Sequence, residues 1–287
     1  MSFDKGAMDV LSATSRTFYI PISRLPPGLL EAVASAYLCM RAIDEIEDHP
    51  ELHNLIKAEL LRAISLKLQS LAEDSAVDDF AATMGSFRVS LPEVTLRIGE
   101  WTRLAPPNIA ARICDATAAM ADRMAYWAAD GWQIHTEADL NHYTFSVAGA
   151  VGLLLSDLWA WYDGTQTNRW YAIGFGRGLQ AVNILRNRAE DLARGVDFFP
   201  ENWDQESMHM YARRNLLLAD AYVRDLPPGP ALDFCKIPLI LANATLDVLA
   251  RGEFKLSRSD VRRLVEQATS EGYSKVQYYA TSDGTLV

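Results

Sequence analysis

The sequence predicts an all-α protein. Apolar residues recur at helical spacing along most of the 287 residues. No alternating strand pattern of useful length appears. Prolines and glycines punctuate the periodic stretches into ten or more helices. A hydrophobic content of 49% is ample for a sizeable core. No long linker or strong repeat divides the chain, so residues 1–287 read as one helical-bundle domain with a loose tail from about 274.

The first helix runs through residues 9–20, with Pro21, Pro26 and Pro27 breaking it and starting another. Residues 28–48 follow, where Leu29, Val33, Ala36, Tyr37, Met40 and Ile43 recur at helical spacing. The polar exceptions there are Arg41, Asp44 and Asp48, and His49-Pro50 ends the helix. Residues 51–72 form an amphipathic helix, 74–79 a polar break, and a short helix comes next. Residues 108–130 are alanine-rich helix up to Gly131, and 136–162 form the most apolar helix, ended by the turn Asp163-Gly164. Residues 166–193 end at Gly195, and 204–224 end at Pro227-Pro228-Gly229-Pro230. In the next helix, which reaches Leu249, Pro238 marks a kink or the first turn. The last helix is 258–270.

Composition excludes some functions. A net charge of −10 argues against general nucleic-acid binding, which wants a basic face. Cys39, Cys114 and Cys235 are far apart among apolar residues and read as reduced core thiols of a cytoplasmic protein. The N-terminus lacks the layout of a signal peptide, and no apolar run has the uninterrupted length of a membrane span. Ala148 to Gly152 carries small residues that permit close helix packing or leave free space beside the chain. Gly174, Gly176 and Gly178 do not follow a strand, which argues against a dinucleotide fingerprint. No hydrolase triad element or phosphate-binding P-loop is present.

The chemistry concentrates in two ladders. Asn183, Asn187 and Asp191 lie one helical turn apart, with Glu190 and Arg186 beside them. Asp44 and Asp48 are likewise one turn apart, and Arg41 precedes them. Oxygen ligands in a row suit a hard divalent cation, and arginine suits diphosphate oxygens or a local carboxylate. Unpaired carboxylates in apolar surroundings are costly and call for a cation. Each ladder alone also fits a solvated helix face. Two facing ladders would form an acidic cleft for magnesium and a diphosphate. Tyr143, on the apolar helix, is in isolation an ordinary core tyrosine.

These motifs, in this order, resemble those of the squalene/phytoene synthase family over residues 12–250. Ser15-Arg16-Thr17-Phe18 is similar to an N-terminal family element, and Tyr37 to Asp48 to the first aspartate-rich motif. Tyr143 with Val147 to Gly152 resembles the central element, and Gln180 to Asp191 the second aspartate-rich motif. Phe199-Pro200 with Trp203, and Phe234 to Pro238, look more like squalene than phytoene synthases.

The resemblance implies an all-α class I isoprenoid synthase bundle with a central cavity. It implies head-to-head joining of two prenyl diphosphates, farnesyl diphosphate foremost, with Mg2+ bridging the aspartate motifs and the diphosphate. Diphosphate loss gives an allylic cation, the second substrate's double bond attacks it, and proton loss closes a cyclopropane. In squalene synthases NADPH then reduces the rearranged cation. By resemblance, Asp44, Asp48, Asn183, Asn187 and Asp191 hold metal. Ser15, Arg16, Tyr37, Arg41 and Arg186 contact diphosphate, and Tyr143 handles the proton near the cyclopropane step. The expected partner is a prenyl diphosphate rather than nucleic acid, and peripheral membrane contact would serve a greasy product.

Two positions depart from the family pattern. Asn187 stands where an aspartate is usual, and Val196 where an arginine is usual. These departures leave open a divergent terpene synthase or prenyltransferase, a synthase that stops at the cyclopropyl diphosphate, and an impaired prenyl-diphosphate-binding partner protein.

Overall fold

The structure is a computed structural model that describes residues 5–15, 17–70 and 80–270. The described residues contain helices, turns and loops and no strand. Helix α1 is Lys5–Ser15, α2 Tyr19–Ile22, α3 Leu29–Glu47 and α4 Asn54–Gln69. Short helices α5 (Phe80–Met84), α6 (Glu93–Leu96) and α7 (Ile98–Thr102) lead to the long α8 (Pro107–Asp130). Then come α9 (Glu137–Thr144), α10 (Ala150–Asp163), α11 (Arg169–Ala193), α12 (Gln205–Asp225), α13 (Pro230–Ala250) and α14 (Arg258–Thr269).

Helix α3 is the centre of one half. Leu29, Val33, Leu38, Ile43 and Ile46 are buried on it, and so are Ser35 and Glu47. Such all-round burial needs neighbours on every side. Helix α8 packs along α3, and α6 and α7 clamp it through two buried hydroxyls. Ser35 Oγ donates to the Trp101 carbonyl at 2.7 Å, and Thr95 Oγ1 to the Ala42 carbonyl at 2.8 Å. Each donor thereby gains a partner that burial would otherwise deny it.

Helix α11 is the centre of the other half, against α10, α12 and α13. Its glycines set the spacing. A Cβ on Gly176 would sit 2.1 Å from the Ala148 carbonyl oxygen, and one on Gly152 2.0 Å from that of Ala172. Gly174 and Gly178 meet Leu218 and Leu216 of α12 in the same way. The small residues therefore serve close packing rather than a hollow. Asp157, the polar break in the apolar helix, joins Arg112 of α8 at 2.7 Å and Arg169 of α11 at 2.6 Å.

Several expectations change in detail. The first helix ends at Ser15, and Pro21 lies inside the single turn α2. Pro21 is tolerated there because a first turn leaves its N–H groups unbonded in any case. Pro238 lies in the interior of α13, which starts instead at Pro230. Proline with its fixed φ suits a first helical position. Burial of Phe234, Ile237, Leu241 and Leu246 on either side of Pro238 offsets the hydrogen bond it removes. The apolar helix is continuous from 137 to 163, but Phe145–Gly149 winds as a π-turn between α9 and α10. Such turns insert one extra residue and often stand at functional sites. By length and composition this run could cross a bilayer, although its glycine face is packed against α11. Cys39 and Cys235 are buried free thiols, while Cys114 is only partly buried. The polar break at 74–79, the tail from 274 and Arg16 lie outside the described residues.

Candidate active site

Asp44 and Asp48 stand at the C-terminal end of α3, and Asp191 stands near the C-terminal end of α11. The two ends meet through one side chain. Arg194 Nη1 donates to Asp48 Oδ1 at 2.8 Å, and Nη2 to Asp191 Oδ1 at 2.6 Å. The helix fixes this reach: Arg194 caps α11, and Gly195 then turns the chain away at φ 82°. Burial alone would lower the pKa of Arg194, but the bonds to Asp48 and Asp191 raise it on balance.

Negative charge is in excess here. Burial, then Asp48, lift the Asp44 carboxyl to about 7 against the pull of Arg41. Asp44 keeps 33% of its side-chain surface, so that burial is partial. Glu47 is 4% exposed, and burial pushes it up to about 8 even though Trp132 Nε1 donates to it at 2.8 Å. Trp132 reaches Glu47 from a backbone with φ of +52°, a region that costs a non-glycine residue energy. Burial raises Asp191 too, opposed by Arg194 and reinforced by Asp48.

Tyr143 lies within electrostatic reach of all four acids. Burial first, and then the charges of Glu47, Asp48, Asp44 and Asp191, hold its phenol well above the ordinary tyrosine value. Its ring stacks on Phe198 at 4.5 Å and meets the edge of Trp127 at 5.6 Å. Phe198 belongs to the loop after α11, which Arg188 pins: it bonds Asp197 at 2.9 Å and lies 3.6 Å over the Phe199 ring. Glu201 fastens the far end through its N–H to the His135 carbonyl at 3.0 Å.

The remaining predicted residues divide into two groups. Ser15, Tyr37 and Arg41 line the α3 side. Burial would lower the pKa of Arg41, but Asp44, Glu45 and Tyr37 raise it on balance, and its guanidinium bonds both Asp44 and Glu45. Tyr37 Oη donates to the Thr14 carbonyl at 3.5 Å. Ser15 Oγ and Arg41 Nε are buried without a hydrogen-bond partner among the described residues. Buried donors in that state suit an incoming oxyanion. On α11, Arg186 turns inward along its own helix, donating to Asn183 Oδ1 at 2.5 Å and Asn187 Oδ1 at 3.1 Å. Each arginine thus bonds residues of its own helix, and Asp191 of the second ladder is joined to Asp48 of the first through Arg194.

The donor set fits magnesium. Asp44, Asp48 and Asp191 supply hard carboxylate oxygens, and burial first, with Asp48 beside them, makes the charge on Asp44 and Asp191 costly without a cation. Among the described residues, no three His, Cys, Asp or Glu side chains form a ready-made cage.

The charge excess fixes a pH dependence. Unfolded, Asp44 and Glu47 titrate near 3.8 and 4.5; folded, near 7 and 8. Below about pH 4 both states are protonated and the difference vanishes. Above it the native state binds more protons than the unfolded one, so stability falls as pH rises and the loss is complete above about 8. With Glu47 counted fully and Asp44 discounted for its exposure, urea melts in EDTA should show about 4 kcal/mol less stability at pH 8 than at pH 5. Equal stability at both values would contradict the charge excess.

Two participants carried no clear signal in the sequence. Arg194 is one arginine before a helix-ending glycine, and its reach to Asp48 is a tertiary fact. Glu47 is one of several acids in its motif, and only burial under Trp132 distinguishes it.

Known proteins share both sequence and fold with this chain. A family model described as squalene/phytoene synthase matches residues 11–210. A squalene synthase of Schizosaccharomyces pombe is 30% identical over 84% of this chain and 58% of its own length. One from Eremothecium gossypii is 29% identical over 89% of this chain and 64% of its own length. The chain thus spans about three fifths of these relatives. Among solved structures, TcSQS with the ligand E5700 superposes with a TM-score of 0.72 at 21% identity, over 93% of this chain and 86% of that one. A dehydrosqualene synthase superposes with a TM-score of 0.62 at 17% identity, over 92% and 94%. These likenesses establish the all-α isoprenoid synthase fold. With the family model covering most of the chain and two ends of one acidic site meeting at Arg194, the protein belongs to the squalene/phytoene synthase family.

Proposed function

We propose that the chain is a squalene-synthase-like prenyltransferase acting on prenyl diphosphates, with farnesyl diphosphate as the foremost substrate. The observation that carries this reading is the meeting of Asp48 and Asp191, from separate halves of the bundle, beside the buried Tyr143. Magnesium, when bound by Asp44, Asp48 and Asp191, would neutralise the diphosphate leaving group. Asn183 and Asn187 would add neutral carbonyl oxygens once Arg186 turns to the diphosphate. Ser15 Oγ, Arg16, Tyr37 and Arg41 orient the diphosphate oxygens. Trp127 and Phe198 keep water from the allylic cation, since aromatic faces exclude water and tolerate positive charge. The Tyr143 phenol keeps its proton at neutral pH and serves as the hydrogen-bonding and proton-relay group at the cyclopropane step.

Tyr143→Phe keeps the stack on Phe198 and removes the hydroxyl. Condensed product should fall about 100-fold, while pyrophosphate release falls less, because ionisation comes first. Gas chromatography of products beside a pyrophosphate assay checks the split; an equal fall in both would refute the late role.

A second reading rests on Arg186 holding both Asn183 and Asn187, which leaves Asp191 as the one charged ligand of its row. On that reading the enzyme stops at the cyclopropyl diphosphate, or ionises and cyclises a single prenyl diphosphate. Incubation with farnesyl and geranylgeranyl diphosphates and Mg2+, with and without NADPH, separates the readings. Squalene formed only with NADPH supports the first. A cyclopropyl or cyclic product supports the second. Tight binding without pyrophosphate release would contradict both and favour a carrier. We further propose a cytoplasmic enzyme with peripheral membrane contact, which would serve the release of an apolar product.

A further inference from the structure

We propose that Arg194 is a resident cation of the metal-free cleft, which divalent metal must displace from Asp48 and Asp191. This inference rests on the metal-dependent reading above. Three observations lead to it. The guanidinium makes one short bond to each acid, and these acids come from two helices that otherwise pack on different neighbours. The same guanidinium stands between the C-terminal ends of the two helices, where Asp44, Asp48 and Asp191 bring like charges together. Arg194 also keeps 34% of its side-chain surface exposed, so it can leave without opening the core.

A guanidinium donates along N–H directions and cannot share a carboxylate oxygen with a metal bound on the same lone pair. Arg194 sits between Asp48 Oδ1 and Asp191 Oδ1, so a divalent ion that bridges the two carboxylates competes with it for that position and meets its positive charge there. The competition has a use. It keeps the acid rows aligned before substrate arrives and weakens the binding of metal alone, so that metal entering together with diphosphate is favoured. Arg194 acts here as a positioning residue through the two carboxylates. Lys57, facing the same end of α3, is too committed to play the part: its Nζ donates to the Glu47 carbonyl at 2.6 Å.

The test is titration of Mn2+ alone, followed by electron paramagnetic resonance of the free ion. The proteins are wild type, Arg194→Gln, Arg194→Lys, and Arg213→Gln, which breaks an exposed pair with Asp247 elsewhere. Circular dichroism checks their folding. Arg194→Gln should bind Mn2+ at least about fivefold more tightly, Arg194→Lys should stay near wild type, and Arg213→Gln should not change. A purely structural role predicts the reverse sign for Arg194→Gln, since loosened acid rows bind metal less well. Unchanged or weaker Mn2+ binding by a folded Arg194→Gln protein overturns the proposal and leaves the metal-dependent reading standing. No Mn2+ binding by any of the proteins, even with inorganic pyrophosphate, overturns both. Should Arg194→Gln fail to fold, arginine side-chain NMR of wild type decides. The Arg194 Nη–H signals, whose nitrogens bond Asp48 and Asp191, should be protected in EDTA and lose protection at saturating Mg2+; protection that persists in Mg2+ overturns the proposal.

Discussion

Asp44→Asn should lower pyrophosphate release by about 10^3-fold while leaving the metal-free protein at least as stable as wild type. The two effects have one cause. Asp44 carries a negative charge that the apo site tolerates poorly, as its carboxyl near 7 records. Removing the charge relieves repulsion from Asp48, and Arg41 keeps its bond to Glu45. At pH 8 the gain should be about 1 kcal/mol after discounting for exposure, and it should shrink toward pH 4. The same removal deprives a divalent ion of a charged ligand, and the ion's positive charge is what draws off the leaving group. Urea melts in EDTA and a coupled pyrophosphate assay measure the two sides. Near-wild-type release by Asp44→Asn would remove Asp44 from the chemistry.

Gly176→Ala and Gly152→Ala should each cost about 3 kcal/mol or more, the upper end for overpacking, because the added methyl meets backbone rather than a movable side chain. A Cβ at these positions would lie 2.1 Å and 2.0 Å from carbonyl oxygens of the facing helix, so the helices must part. Gly149→Ala is the control. Its nearest neighbours would be Phe145 Cδ2 at 3.2 Å and Ile173 Cγ2 at 3.3 Å, both side-chain atoms that can give slightly. Its cost should be below about 1 kcal/mol. The large variants should also lose activity, since the parted helices carry Tyr143 and Asp191. Thermal melts of the three proteins check the ranking; equal stabilities would mean that the close approach of α10 and α11 does not determine the fold.

The helices were legible because long amphipathic segments carry their own periodicity. Helix α3 announced itself by apolar residues at every turn, with Asp44 and Asp48 as exceptions at its end. Gly174, Gly176 and Gly178 were legible as something other than a nucleotide loop, but their partners on α10 and α12 depend on tertiary packing. The π-turn at Phe145–Gly149 has no pattern of its own, because one extra residue per turn breaks no apolar run. Pro238 inside α13 misled in the usual way: local preference yields when enough apolar surface is buried around it. The acidic rows were visible as ladders, but their contact was not, since Arg194 works across two distant segments. Asn183 and Asn187 shared a face with Asp191, as the spacing required, yet Arg186 engages both amides.

The most direct measurement is a crystal soaked with Mn2+ and a non-hydrolysable thio analogue of farnesyl diphosphate, read by anomalous scattering. Manganese peaks within ligand distance of Asp44 or Asp48 on one side and Asp191 on the other, with analogue phosphate oxygens between them, are the predicted result. Peaks away from those carboxylates, or analogue seated elsewhere in the bundle, would contradict it.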